Sequence, residues 1–202
     1  MRYLLAGPND FSLKSKLSQI KASLGDQSLL SSATNYFESS KLHPDELRLV
    51  VNATPFLSPA RLVIINGLLN RFQVTDKKTS AKKKNTKTTA KEQNGSETIS
   101  EFSKIINAKP PSTVLVLTES SLNRSNPLLK LITEPIETFE FPMLDKPQLK
   151  EWLKRRAVEA GGHFTPPAVN LLSQYIGSDL WTAATEVEKL TLYADGRAIT
   201  EE

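Results

Sequence analysis

The 202-residue chain has no cysteine, two histidines and two tryptophans, and aromatic residues make up 7% of it. Without cysteine, disulfides, iron–sulfur clusters and thiolate zinc sites are excluded. The histidines, His43 and His163, lie far apart in sequence, each beside turn residues, and read as solvated loop residues rather than ligands or bases. Long apolar runs are missing as well. None approaches the roughly 18 residues of a membrane span. The opening Met1-Arg2-Tyr3-Leu4-Leu5-Ala6 is too short for a signal peptide. A cytoplasmic protein with no membrane partner is the expectation. What is present is ordinary for a folded chain: 39% hydrophobic and 24% charged residues. The length suits one large domain, or one domain and a smaller second.

Charge is concentrated in one place. The chain carries +4, but the stretch from Asp76 to Glu92 holds seven lysines against two acids, a net +5, which leaves −1 for the remainder. Any nucleic-acid reading based on total charge therefore rests on Lys77, Lys78, Lys82, Lys83, Lys84, Lys87 and Lys91. The tract has two readings. It could bind nucleic acid through counterion release, or it is a solubilising loop. No aromatics are interleaved to stack on bases, and charge runs are commonly disordered, which favours the second.

Apolar periodicity divides the chain in two. Tyr3 to Ala6 reads as a buried strand ending at a Gly7-Pro8-Asn9-Asp10 turn. Asp10 is placed to cap a helix with Leu13, Leu17, Ile20 and Leu24 on one face, stopped by Gly25. Asn35-Tyr36-Phe37 is a weak second strand. Pro44, Asp45 and Glu46 open a helix whose buried face is Leu47, Val50 and Val51. Arg61 to Ile65 is a third strand. Val74 to Ser96 has almost nothing apolar and reads as a disordered insertion, because burial cannot offset its ordering entropy. A short helix around Ile99, Phe102, Ile105 and Ile106 follows, then Thr113 to Leu117, an unbroken apolar run suited to a central parallel strand. Leu128 to Ile132 is helical, and Glu137 to Phe141 is a fifth strand. Residues 1–141 thus predict an α/β domain with a mostly parallel five-stranded sheet flanked by helices. Residues 142–202 predict a small three-helix domain. It opens on a capping box at Asp145-Lys146-Pro147-Gln148, with later helix starts at Thr165-Pro166 and Ser178-Asp179. Ile199 to Glu202 reads as the start of another helix, cut off.

An α/β domain followed by three helices suggests an ATPase of the AAA+ type. A P-loop needs G-x-x-x-x-G-K-[ST], so that backbone amides wrap the phosphates and a lysine reaches them. Here Gly7-Pro8-Asn9-Asp10-Phe11-Ser12-Leu13-Lys14-Ser15 puts Leu13 where the second glycine belongs, displaces the lysine by one position and loses a donor at Pro8. The run Val114 to Leu117 leads into Thr118-Glu119, without the aspartate expected on the magnesium side. No catalytic site, cofactor or metal is expected. Trp181, at the start of the last helix, stands where AAA+ lids carry a nucleotide-contacting basic residue.

Phe56 and Leu57 lie between a helix end and a strand, flanked by Pro55 and Pro59. Pattern alone favours core packing, since buried Phe and Leu are common. The alternative is an exposed apolar wedge on a proline-stiffened turn, an anchor for a partner's pocket.

An ordered series of passages resembles one family. It comprises Tyr3 to Asp10, Thr54-Pro55-Phe56-Leu57-Ser58-Pro59-Ala60-Arg61-Leu62-Val63-Ile64, Pro110 to Leu117, Leu149-Lys150-Glu151-Trp152-Leu153, and Gly177 to Leu190. Together they are similar to the first two domains of the delta subunit of bacterial DNA polymerase III, the clamp-loader wrench. The resemblance implies an AAA+-like fold with a three-helix lid and no working ATP site. It implies binding to the beta sliding clamp, which the subunit helps open for loading onto primed DNA. By resemblance the clamp contact falls on Phe56, then Leu57, with Pro55 standing where the family often has another apolar residue. It further implies other clamp-loader subunits as partners, held mainly through a helical collar domain that is missing after Glu202. The rivals are a diverged AAA+ ATPase, a DNA-binding module using the lysine tract, and the delta-prime stator, whose usual zinc-binding cysteines are absent here.

Overall fold

A computed structural model of the chain describes residues 1–55, 58–73 and 88–201. Phe56, Leu57 and residues 74–87, which include six of the seven tract lysines, lie outside the described residues. Two compact units are present, Met1–Phe141 and Pro142–Glu202.

In the first unit the elements run β1 (Arg2–Ala6), α1 (Asp10–Ser23), α2 (Gln27–Ser32), β2 (Thr34–Glu38), α3 (Pro44–Asn52), β3 (Arg61–Asn66), α4 (Leu68–Arg71), α5 (Thr88–Ala108), β4 (Thr113–Glu119), α6 (Pro127–Leu131) and β5 (Glu137–Glu140). The strands form one sheet in the order β2-β3-β4-β1-β5, and every pairing is parallel. Parallel neighbours need long crossovers, which the intervening helices supply. Successive side chains of a strand face opposite ways, so each central strand feeds two cores. Val63 and Ile65 join Leu4, Leu115 and Leu117 under α3, α5 and α6, where Leu47, Val51, Phe102, Ile106 and Leu128 close the layer. Leu62 and Ile64 join Leu5, Val114 and Val116 against Leu13, Ile20 and Leu30 of α1 and α2. All seven residues of β4 are buried, as its unbroken apolar run requires.

Several local expectations need correction. The cap of α1 is Asn9, whose Oδ1 accepts the Ser12 amide at 3.0 Å, while Asp10 occupies the first turn. Helices α2 and α4 were not legible, being too short to show a period. Helix α5 begins at Thr88, so residues 88–96 are helical where an insertion was expected. The sequence there includes Ala90, Lys91, Glu92 and Gln93, all good helix formers, and they extend a helix anchored by Phe102 and Ile106.

The second unit contains α7 (Lys146–Glu159), β6 (His163–Phe164), α8 (Pro166–Ile176), α9 (Leu180–Ala194) and β7 (Ala198–Ile199). The Asp145–Gln148 capping box forms in both directions, at 2.8 and 3.0 Å. Thr165 and Asp179 cap the next two helices. The core is Leu149, Trp152, Leu153, Val169, Leu180, Ala183 and Val187 with their neighbours. Ile199 is not in a helix. It is buried in β7, paired in parallel with β6, and its carbonyl accepts the Thr165 amide at 2.9 Å. The unit is therefore three helices and a two-stranded parallel ribbon.

Candidate functional site

The proline-flanked connection between α3 and β3 is fixed on both sides of Phe56 and Leu57. On the helix side, the Ala53 amide donates to the Leu49 and Val50 carbonyls. Arg61, the first residue of β3, reaches back across the connection. Its Nε donates to the Ala53 carbonyl at 2.9 Å, one terminal nitrogen donates to Asn35 Oδ1 at 2.9 Å, and the other donates to the Thr54 carbonyl at 3.4 Å. The fully buried Thr113 adds a bond from its hydroxyl to the Val51 carbonyl at 2.8 Å. On the strand side, Ser58 Oγ donates to the Ala60 carbonyl, and Pro59 abuts Gly25, where a Cβ would lie 3.3 Å from the proline Cγ. Pro55 is half-buried. Leu49, in the last turn of α3, is 76% exposed, an open apolar side chain shortly before the connection. The whole arrangement sits at the amino end of β3. The usual ligand crevice of an open α/β sheet lies at the opposite, carboxyl ends of the strands.

At that carboxyl end the turn after β1 is filled by its own chain. The Gly7 amide donates to the Glu119 carbonyl at 3.0 Å, and the Asn9 amide donates to the Phe141 carbonyl at 3.1 Å. The Asp10 amide goes to the Pro8 carbonyl, and those of Ser12 and Leu13 go to Asn9. These are the donors a phosphate would need, and protein acceptors hold them. Gly7 has φ +142°, and a Cβ there would stand 2.1 Å from the Phe141 carbonyl oxygen. The backbone after β5 thus lies directly against the turn. Lys14 pairs with Asp10 at 2.9 Å, and both side chains are more than half exposed.

Glu119, at the end of β4, is 2% exposed. Its two carboxylate oxygens accept the Leu69 and Asn70 amides at 2.6 and 3.1 Å, which caps α4. Burial pushes its pKa up to about 7 from the usual 4.5, against the lowering effect of those amides. Asn126, also buried, donates to the Leu69 carbonyl at 2.7 Å. The carboxylate is thereby committed to the fold. Among the described residues no group of three or more His, Asp or Glu could hold a metal ion. His43 precedes α3 without a side-chain capping bond and is exposed, as is His163 in β6. Trp181 is half-exposed in the first turn of α9. Sequence reasoning gave Arg61, Thr113 and Glu119 no role. An arginine opening an otherwise apolar strand, beside a loop with two prolines, was the one available signal.

A five-stranded parallel sheet in this order, with helices on both faces and a small helical unit after it, defines an AAA+-like α/β protein. The same fold occurs in the Bacillus subtilis DNA clamp loader delta protein (YqeN), with TM-score 0.71 and 19% identity over 98% of this chain and 55% of that one. It occurs in a RuvB variant of Thermotoga maritima, with TM-score 0.51 and 15% identity over 98% of this chain and 58% of that one. The chain spans little more than half the length of either. The family model for the DNA polymerase III delta subunit matches residues 3–141, and the chain belongs to that family. A search of curated proteins finds no match.

Proposed function

We propose that this chain is the clamp-gripping part of a clamp-loader delta subunit acting in the cytoplasm. Phe56 and Leu57, with Pro55, bind the beta sliding clamp and help open it for loading onto primed DNA. The chain has no catalytic site of its own, and ATP-driven work falls to other clamp-loader subunits. The observation that carries this reading is the anchoring of the α3–β3 connection by Arg61 and Thr113, on both sides of an apolar pair. Ordering the base of a wedge in advance reduces the entropy lost on binding. A wedge that binds the opened clamp better than the closed one shifts the ring towards open by that difference in affinity. The occupied amides of the β1 turn support the absence of nucleotide hydrolysis.

The test is binding of the chain to purified beta clamp, beside the Phe56→Ala, Leu57→Ala double variant. At ~2 kcal/mol per anchor the variant should bind at least about 100-fold more weakly. Equal binding by a folded variant would move the site elsewhere. No binding by the wild type would remove the clamp-gripping role.

A further inference from the structure

The second unit carries a basic groove that the clamp reading does not use. Lys146, Lys150 and Lys154 recur every four residues on α7, so they form one stripe about 12 Å long. They line a groove of about 350 Å³, whose other wall is Pro166, Val169 and Asn170 from the first turns of α8. Charge in this unit is strongly uneven. It holds seven Lys and Arg against nine Asp and Glu, yet five of the seven basic residues lie on α7. Arg155 and Arg156 are taken up by Glu159 and Glu188, and Lys154 pairs with Glu151 at 2.7 Å on the groove wall. Lys146 and Lys150 pair with no carboxylate among the described residues. Two uncompensated cations and a third in an exposed, readily exchanged pair thus line one groove.

We propose that this groove docks the phosphate backbone of a single nucleic-acid strand. Phosphates recur along a strand at spacings of at least ~3.4 Å, so the stripe faces about three of them. The prolines and Val169 offer an apolar wall to the sugars, and among the described residues no aromatic ring lines the groove to read or stack a base. Binding is therefore independent of sequence and carried by charge. The proposal does not depend on clamp binding.

Fluorescence anisotropy of the full chain with a mixed-sequence single-stranded oligonucleotide, over a salt series, tests it. Each neutralised phosphate contributes about 0.7 to the slope of log affinity against log salt. The Lys146→Gln, Lys150→Gln, Lys154→Gln variant should therefore lower that slope by about 2. The change should persist when the seven lysines between Lys77 and Lys91 are also replaced by glutamine, which separates the groove from the tract. Should the triple variant lose its circular dichroism spectrum, the single Lys150→Glu variant gives the reading by weakening the affinity. An unchanged slope, no binding by the wild type, or displacement of the oligonucleotide by an equal charge of polyglutamate would each overturn the proposal. The last would assign the groove to an acidic protein.

Discussion

Arg61 ties three strangers together: the end of α3, the side chain of Asn35 on β2, and its own position at the head of β3. A planar guanidinium can donate in several directions at once, which an ammonium on a flexible stem cannot reproduce. Arg61→Ala should cost about 1–2 kcal/mol of stability by chemical denaturation, the low end for charge-assisted bonds because part of the side chain meets solvent. It should also weaken clamp binding by about tenfold, with Arg61→Lys recovering little. Clamp affinity unchanged in a folded Arg61→Ala protein would separate the arginine from the wedge. None of this was visible beforehand. The acceptors are mostly backbone carbonyls, which leave no mark in a sequence, and Asn35 is 26 residues away. For the apolar pair the pattern favours core packing, with the proline-flanked wedge as the alternative, and the pair lies outside the described residues.

Helix α4 has four residues and lies outside the reach of periodicity, yet it is held from several directions. Glu119 caps its first amides, Asn126 binds its Leu69 carbonyl, and Arg71 donates to the Ser39 and Leu42 carbonyls. The Glu119 cap has a pH signature. Its folded pKa, about 7, lies above the ordinary 4.5. Between those values the folded protein holds a proton that the unfolded chain has released. The group's contribution is thus complete below about pH 4.5 and is lost as pH rises through about 7. The swing is on the order of 2–3 kcal/mol. Glu119→Gln is neutral throughout, so the stability of the wild type relative to this variant should fall by that amount from pH 4.5 to 7.5. Parallel denaturation profiles would show that the carboxyl does not titrate in this window. The longer elements were readable because burial on one face or two imposes a period on them. The early start of α5 was not, because polar helix formers such as Lys91, Glu92 and Gln93 compose disordered segments equally well. The two-residue ribbon was missed for want of any pattern at all.

The sheet presents two ends with different fates. At the carboxyl end, where open α/β sheets ordinarily hold ligands, Phe141 lies against Gly7 and the turn amides are spoken for. At the amino end of β3 lies the connection that Arg61 anchors. This polarity was half legible. The departures from a P-loop at Pro8 and Leu13 stand in the sequence, while the backbone that occupies the turn comes from more than a hundred residues away. Calorimetric titration with ATP and magnesium should give no binding heat, and the salt pair of Lys14 should make Lys14→Ala nearly neutral in stability, within about 0.5 kcal/mol. Saturable nucleotide binding lost in Lys14→Ala would restore the ATPase reading.

The inner place of β1, between β4 and the edge strand β5, also sets a timetable. Its neighbours are β4 and β5, with Arg2 opposite Leu115 and Tyr3 opposite Glu137. At roughly 5–20 residues per second, a ribosome needs on the order of 5–20 s to deliver those partners after β1 has emerged. The strand made first is paired among the last. During that interval Leu4 and Leu5, both fully buried in the finished fold, have no sheet to enter, so the nascent chain passes through a stage in which these two side chains lack their final cover.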